Sequence, residues 1–177
     1  MEIDELIQLC KYKDEQAQME VYRRYHKAMY HSALRIVQDR VDAEDVMQDG
    51  FLTAFEKLDQ YKGDNKFGGW LKQITLRKAL HFLEKEQKTK RFLTHHKNQL
   101  TENSLLEEEQ NPRLKLLKRA LDDMKPRYRH AIVLMYFEGL DYTEISTVLK
   151  ISYGNCRTLI SRAKEQLKMK IVHHEIH

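Results

Sequence analysis

Residues 42–55, DAEDVMQDGFLTAF, hold most of a carboxylate array. Coiled as one helix at about 100° per residue, the segment puts Asp42, Asp45, Asp49 and, one residue on, Glu56 along one side. Met47, Phe51, Ala54, Phe55 and Leu58 crowd the other and explain themselves as core. Carboxylates aligned in this way can hold a divalent cation for nuclease chemistry. Metal catalysis needs an enclosed, oriented donor set, whereas this stripe has no His partner and lies on an exposed face. Phosphate is repelled by such a face, so DNA is a poor partner for it. Asp42 as N-cap, with Asp45 three residues on, would serve the helix terminus, but that use does not reach Asp49 or Glu56.

Two other stretches suit nucleic acid better. Around a polar loop at 63–65, Tyr61, Lys62, Lys66, Phe67, Trp70, Lys72, Arg77 and Lys78 interleave aromatic rings with cations. Rings stack on unpaired bases and cations follow phosphates, although Phe67 and Trp70 also suit a core. Near the C-terminus, DYTEISTVLKISYGNCRTLISRAKEQLKMK reads as a short helix, a tight turn and a longer helix, the helix-turn-helix arrangement. Asp141 with Glu144 forms a capping-box pattern, and Ser152 can cap the second helix. That helix is expected to bury Cys156, Ile160, Ala163 and Leu167. It presents Asn155, Arg157, Thr158, Ser161 and Arg162 outward, where amide and guanidinium groups read base edges and hydroxyls and cations bind phosphate.

The elements that must position these residues are helical. Only six Gly and two Pro punctuate 177 residues in which 41% are apolar, so strand and hairpin signals are nearly missing and a core can be buried. Tyr22, Tyr25, Met29, Ala33 and Ile36 mark a long amphipathic helix over 14–38. A helix over 42–58 follows, and a third over 67–85 docks Trp70, Leu71, Ile74 and Phe82 on the first two. Beyond residue 112, Leu114, Leu117, Leu121 and Met124 define one helix. Pro126 starts the next, with Tyr128, Ile132 and Met135 on its apolar face, and Gly139 ends it.

Charge divides unevenly. Residues 1–87 carry a net −2, 88–112 are neutral, and 113–177 carry +6. The middle stretch breaks helical periodicity and ends at Asn111-Pro112, which predicts a flexible linker at 88–112 between two small helical modules, 1–87 and 113–177. Cys10 and Cys156 fit no paired metal or redox spacing and are expected to be free thiols. His173, His174 and His177 are assigned to a solvated tail rather than to a metal. No apolar run is long enough to span a membrane and no secretion signal is evident, so a cytoplasmic protein without membrane insertion is expected.

DAEDVMQDGFLTAFEKL with FGGWLKQI, then the linker, then LDDMKPRYRHAIVLMYFEGLDYTEISTVLKISYGNCRTLISRAKEQL, resembles the extracytoplasmic-function group of bacterial RNA polymerase sigma factors. The resemblance covers nearly the whole chain. It implies that Asp42, Asp45, Gln48 and Asp49 dock on the clamp helices of core RNA polymerase. It also implies that Tyr61, Lys62, Lys66, Phe67, Trp70 and Arg77 hold the melted −10 strand and capture a flipped base. Ser152, Tyr153, Asn155, Arg157, Thr158, Ser161 and Arg162 would contact the −35 duplex, with Arg157 and the helix N-terminus favouring phosphate. The implied partners are core polymerase, promoter DNA and an anti-sigma factor.

No catalytic residue, metal, cofactor or small-molecule substrate is expected. Three departures stand out: Gly68-Gly69 where the family commonly has Arg-Thr, Arg77 where an Asn is usual, and Asn155 and Leu159 where Thr and Arg are usual. Gly68-Gly69 is expected to loosen a helix start, and Leu159 to remove a cation from a DNA-facing or flanking position. A rival assignment is a helix-turn-helix regulator that does not engage polymerase as a sigma subunit. It accounts for the C-terminal module and leaves the acidic helix, the aromatic loop and the tether as coincidences.

Overall fold

The computed structural model describes residues 1–63, 66–92 and 111–176, and every regular element among them is helical. The chain divides into two compact units, Met1–Asn103 and Ser104–His177.

The first unit holds α1 (Ile3–Lys11), α2 (Glu15–Val37), α3 (Arg40–Glu56), a 3-10 turn (Leu58–Gln60) and α4 (Phe67–Phe92). Short polar residues set the helix starts. Asp14 accepts from the Ala17 amide at 2.8 Å and caps α2. Asp39 accepts from the amides of Val41 and Asp42 at 2.9 and 3.0 Å and caps α3. The cap is thus Asp39, and Asp42 lies inside the first turn, where its charge favours the positive end of the helix dipole. The helix α1 was not anticipated from sequence, although Ile3, Leu6, Ile7 and Cys10 recur at helical spacing and Glu2 with Glu5 completes a capping box. Leu6, Ile7 and Cys10 are buried in one cluster with Val21, Met29, Met47, Phe51, Phe67 and Leu71. Helices α3 and α4 approach closely at Gly50, where an added Cβ would come 2.9 Å from the Thr75 hydroxyl. Helix α4 runs well past residue 85 and into the stretch assigned to the linker, whose last two residues open the next helix; residues 93–110 lie outside the described residues.

The second unit holds α5 (Pro112–Asp122), α6 (Pro126–Ile132), a π-helical turn (Val133–Phe137), α7 (Tyr142–Leu149) and α8 (Tyr153–Ile176). Asn111 caps α5, and Pro112 and Pro126 occupy first-turn positions where the missing N–H costs nothing. The Lys125 amide donates to Gln166 Oε1 at 3.1 Å and ties the start of α6 to α8. After the π turn, Gly139 takes φ +70° and the Leu140 amide donates back to the Leu134 carbonyl at 3.0 Å, ending the helix as its sequence predicts. Ile132, Leu134, Ile145, Cys156, Ile160 and Ala163 form the interior, while Leu167 is only half-buried.

Burial leaves clear electrostatic signatures in this unit. Arg129 is 4% exposed, and desolvation pulls its guanidinium down to about 10 against the opposing charge of Asp122. Desolvation, with Arg129 beside it, pushes His130 down to about 4, so its imidazole is neutral at pH 7. Both cysteines are free and buried, Cys10 in the first unit and Cys156 in the second. Burial and Asp14 push the Cys10 thiol up to about 11, and burial raises that of Cys156.

Candidate functional site

Helix α3 buries Ala43, Val46, Met47, Gly50, Phe51 and Ala54 and turns the acidic side outward. Asp45, Gln48 and Asp49 are exposed and Asp42 is half-buried, so the four predicted docking residues share a surface. Asp49 is not an isolated charge: its Oδ2 receives Lys78 Nζ of α4 at 2.9 Å. Val41 and Leu52, both largely exposed, were not selected from sequence, because an isolated aliphatic residue between charges is not a periodic signal.

The aromatic loop differs from its expectation. Phe67 has no exposed surface, and Tyr61 is 6% exposed with its hydroxyl donating to Asp4 Oδ1 at 2.9 Å. Tyr61, Phe67 and Trp70 pack on one another with ring centroids 5.4 to 5.7 Å apart. Neither Tyr61 nor Phe67 is available to stack on a base in this conformation, because burying two large rings is favoured over leaving them in water. Lys62 and Lys66 are exposed, Trp70 and Arg77 half-buried, and an Arg77 Nη2 donates to Gln73 Oε1 one turn back at 3.4 Å. Gly68 does not simply loosen the start of α4. A Cβ there would meet the Tyr25 ring at 2.9 Å, so the missing side chain lets α2 and α4 close on each other.

The helix-turn-helix forms with the caps that its sequence predicts. Asp141 Oδ1 accepts from the Glu144 amide at 2.8 Å, and Glu144 Oε2 accepts from the Asp141 amide at 2.9 Å. Lys150 turns the chain with φ 54°, and Ser152 Oγ accepts from the Asn155 amide at 3.1 Å to open α8. Ser152, Tyr153, Asn155, Arg157, Thr158, Ser161 and Arg162 are all exposed. The rings of Tyr142 and Tyr153 meet edge to face at 6.0 Å across the first turns of α7 and α8. Leu159 is 4% exposed and belongs to the core, so it leaves the DNA-facing side intact rather than depriving it of a cation. Lys164, missed from sequence, lies 5.7 Å from the Tyr136 ring centroid, and hydrogen bonding to Tyr136 raises its pKa. Among the described residues no group of three or more potential ligands could hold a metal ion.

Residues 21–89 match the family model for Sigma-70 region 2, and residues 114–167 match that for Sigma-70, region 4. The chain belongs to the sigma-70 family of RNA polymerase sigma factors. Its similar relatives place it in the extracytoplasmic-function group. It is 30% identical over 165 residues to the ECF RNA polymerase sigma factor SigE of Mycolicibacterium smegmatis, an alignment covering 88% of this chain and 62% of that protein. It is 26% identical to SigM and to SigW of Bacillus subtilis, covering 91% and 97% of those proteins and 84% and 97% of this chain. In fold it is similar to CnrH, solved in complex with the cytosolic domain of CnrY, at TM-score 0.58 and 24% identity over 94% of both chains. It is also similar in fold to the sigma factor RpoE of Bartonella quintana, solved with the anti-sigma factor NepR, at TM-score 0.60 and 21% identity over 86% of this chain and 95% of that one.

Proposed function

We propose that this sigma factor binds core RNA polymerase through the outward face of α3 and directs promoter-specific initiation of transcription. The observation that carries the assignment is the occurrence, in one chain and in this order, of the region 2 match with its exposed acidic helix and the region 4 match with its exposed helix-turn-helix face. Residues 1–87 dock on polymerase through Asp42, Asp45, Gln48 and Asp49 and hold the opened −10 element. Lys62, Lys66, Trp70 and Arg77 face that strand, while Tyr61 and Phe67 support the loop from within. Residues 113–177 read the −35 element through Ser152, Tyr153, Asn155, Arg157, Thr158, Ser161 and Arg162, and 88–112 join the two. The polymerase supplies the covalent chemistry; this chain acts in the cytoplasm without a catalytic group or cofactor of its own, and an anti-sigma protein is its regulatory partner.

The test is a titration of the purified chain into sigma-free core polymerase at moderate salt, followed by binding of the holoenzyme to promoter fragments. Saturable binding at nanomolar levels, displaced by another sigma factor, is the expected result. Arg157→Ala with Arg162→Ala is expected to weaken promoter binding by about 1–3 kcal/mol per lost contact while leaving polymerase affinity unchanged. Duplex binding without any affinity for core polymerase would instead favour a plain helix-turn-helix regulator.

A further inference from the structure

The docking face of α3 carries two large apolar side chains that its acidic character hides. Val41 is 70% exposed and Leu52 is 64% exposed. Residues 41, 45, 48 and 52 recur at spacings of four, three and four, so Val41, Asp45, Gln48 and Leu52 form one line on the helix, about 16 Å from end to end. The apolar residues stand at its ends and the polar ones between them. Asp49, at the edge of this line, is already answered by Lys78 at 2.9 Å, so part of the acidic charge is spent within the fold. Nor can the helix roll to cover its aliphatic ends. Its other side is locked by Met47, Phe51 and Ala54 and by the close approach of Gly50 to Thr75.

Charge decides what covers this line. Asp42, Glu44, Asp45 and Glu56 surround or interrupt it, which repels nucleic acid and anionic membrane surfaces. A second copy of the same face would set carboxylates against carboxylates. A cationic surface with apolar pockets satisfies both parts.

We propose that Val41 and Leu52 are the anchors by which α3 grips core RNA polymerase, each seated in an apolar pocket of a basic surface, with Asp45 and Gln48 fixing the register between them. This rests on the assignment of α3 as the polymerase-docking face. The two anchors supply a salt-independent part of the affinity, and Asp45 supplies its dependence on salt.

The experiment uses the full chain and sigma-free core polymerase, with dissociation constants measured at several salt concentrations. Val41→Ser with Leu52→Ser is expected to weaken binding at least about thirtyfold without changing the slope of log Kd against log salt. Asp45→Asn is expected to flatten that slope. Wild-type affinity in the serine pair, with binding lost in Asp45→Lys, overturns the anchors and leaves the face assignment standing. Unchanged affinity in both removes α3 from the interface and with it the reading beneath. Self-association of the free chain that the serine pair abolishes would give the anchors to a second copy and overturn the proposal. Leu52→Gln, which keeps helix propensity, reads the same outcome should the serines disturb the helix.

Discussion

The loop before α4 and the outward face of α8 were selected on the same grounds, aromatic or polar side chains mixed with cations, yet the fold treats them oppositely. All seven residues on and beside α8 are exposed, whereas Tyr61, just before the loop, and Phe67, the first residue of α4, are buried in the core of the first unit. A helix whose apolar stripe is satisfied by neighbours must show its remaining residues to solvent. At the junction between a loop and a helix start no such stripe is fixed in advance, so the rings settle wherever most surface is buried. Composition therefore reports a contact surface well along a capped helix and poorly where a loop runs into a helix start.

The sharpest way to break this contrast is Phe67→Ala. With Phe67 fully buried among Tyr25, Tyr61 and Trp70, urea unfolding of the first unit is expected to lose about 3–5 kcal/mol. Ser161→Ala on the α8 face, measured in the same way, should stay within about 0.5 kcal/mol. Equal effects would erase the distinction between the two regions.

Acid separates the two units next. His130 has a folded pKa of about 4 against an ordinary 6.5, so the unfolded chain takes up the proton first. Its contribution is complete above pH 6.5 and is lost as the pH falls through 4, by up to roughly 3 kcal/mol. Urea titrations at pH 7 and pH 4.5 should show this loss in the unit that carries α8, and His130→Gln should reduce it.

The smallest effect concerns the turn that aims α8. Lys150 holds φ 54°, a left-handed conformation that a side chain disfavours and glycine does not. Lys150→Gly is expected to stabilise the second unit by about 0.5–1 kcal/mol in thermal unfolding, with affinity for duplex DNA nearly unchanged. A loss of stability would mean that the lysine side chain contributes more to the turn than its backbone costs.

Much of this architecture was legible because local chemistry and global packing agree. The capping pair Asp141 and Glu144, the proline starts of α5 and α6 and the Gly139 stop each encode a boundary within a few residues. Helix α1 escaped because its four apolar positions lie within one short, acidic segment, where charge masks periodicity. Asp39 rather than Asp42 caps α3, since both are aspartates and only backbone geometry chooses between them. Partnerships across the fold, such as Lys78 with Asp49, Tyr61 with Asp4 and Gly68 with Tyr25, join residues far apart in sequence and leave no local trace.

The two buried thiols set a limit on what the molecule can sense. With Cys10 raised to about 11 and Cys156 also raised, neither is a thiolate at neutral pH. Peroxides and disulfides react with the thiolate, and burial withholds access as well. Neither thiol is therefore poised for direct oxidation in this fold, and both serve as small apolar packing residues.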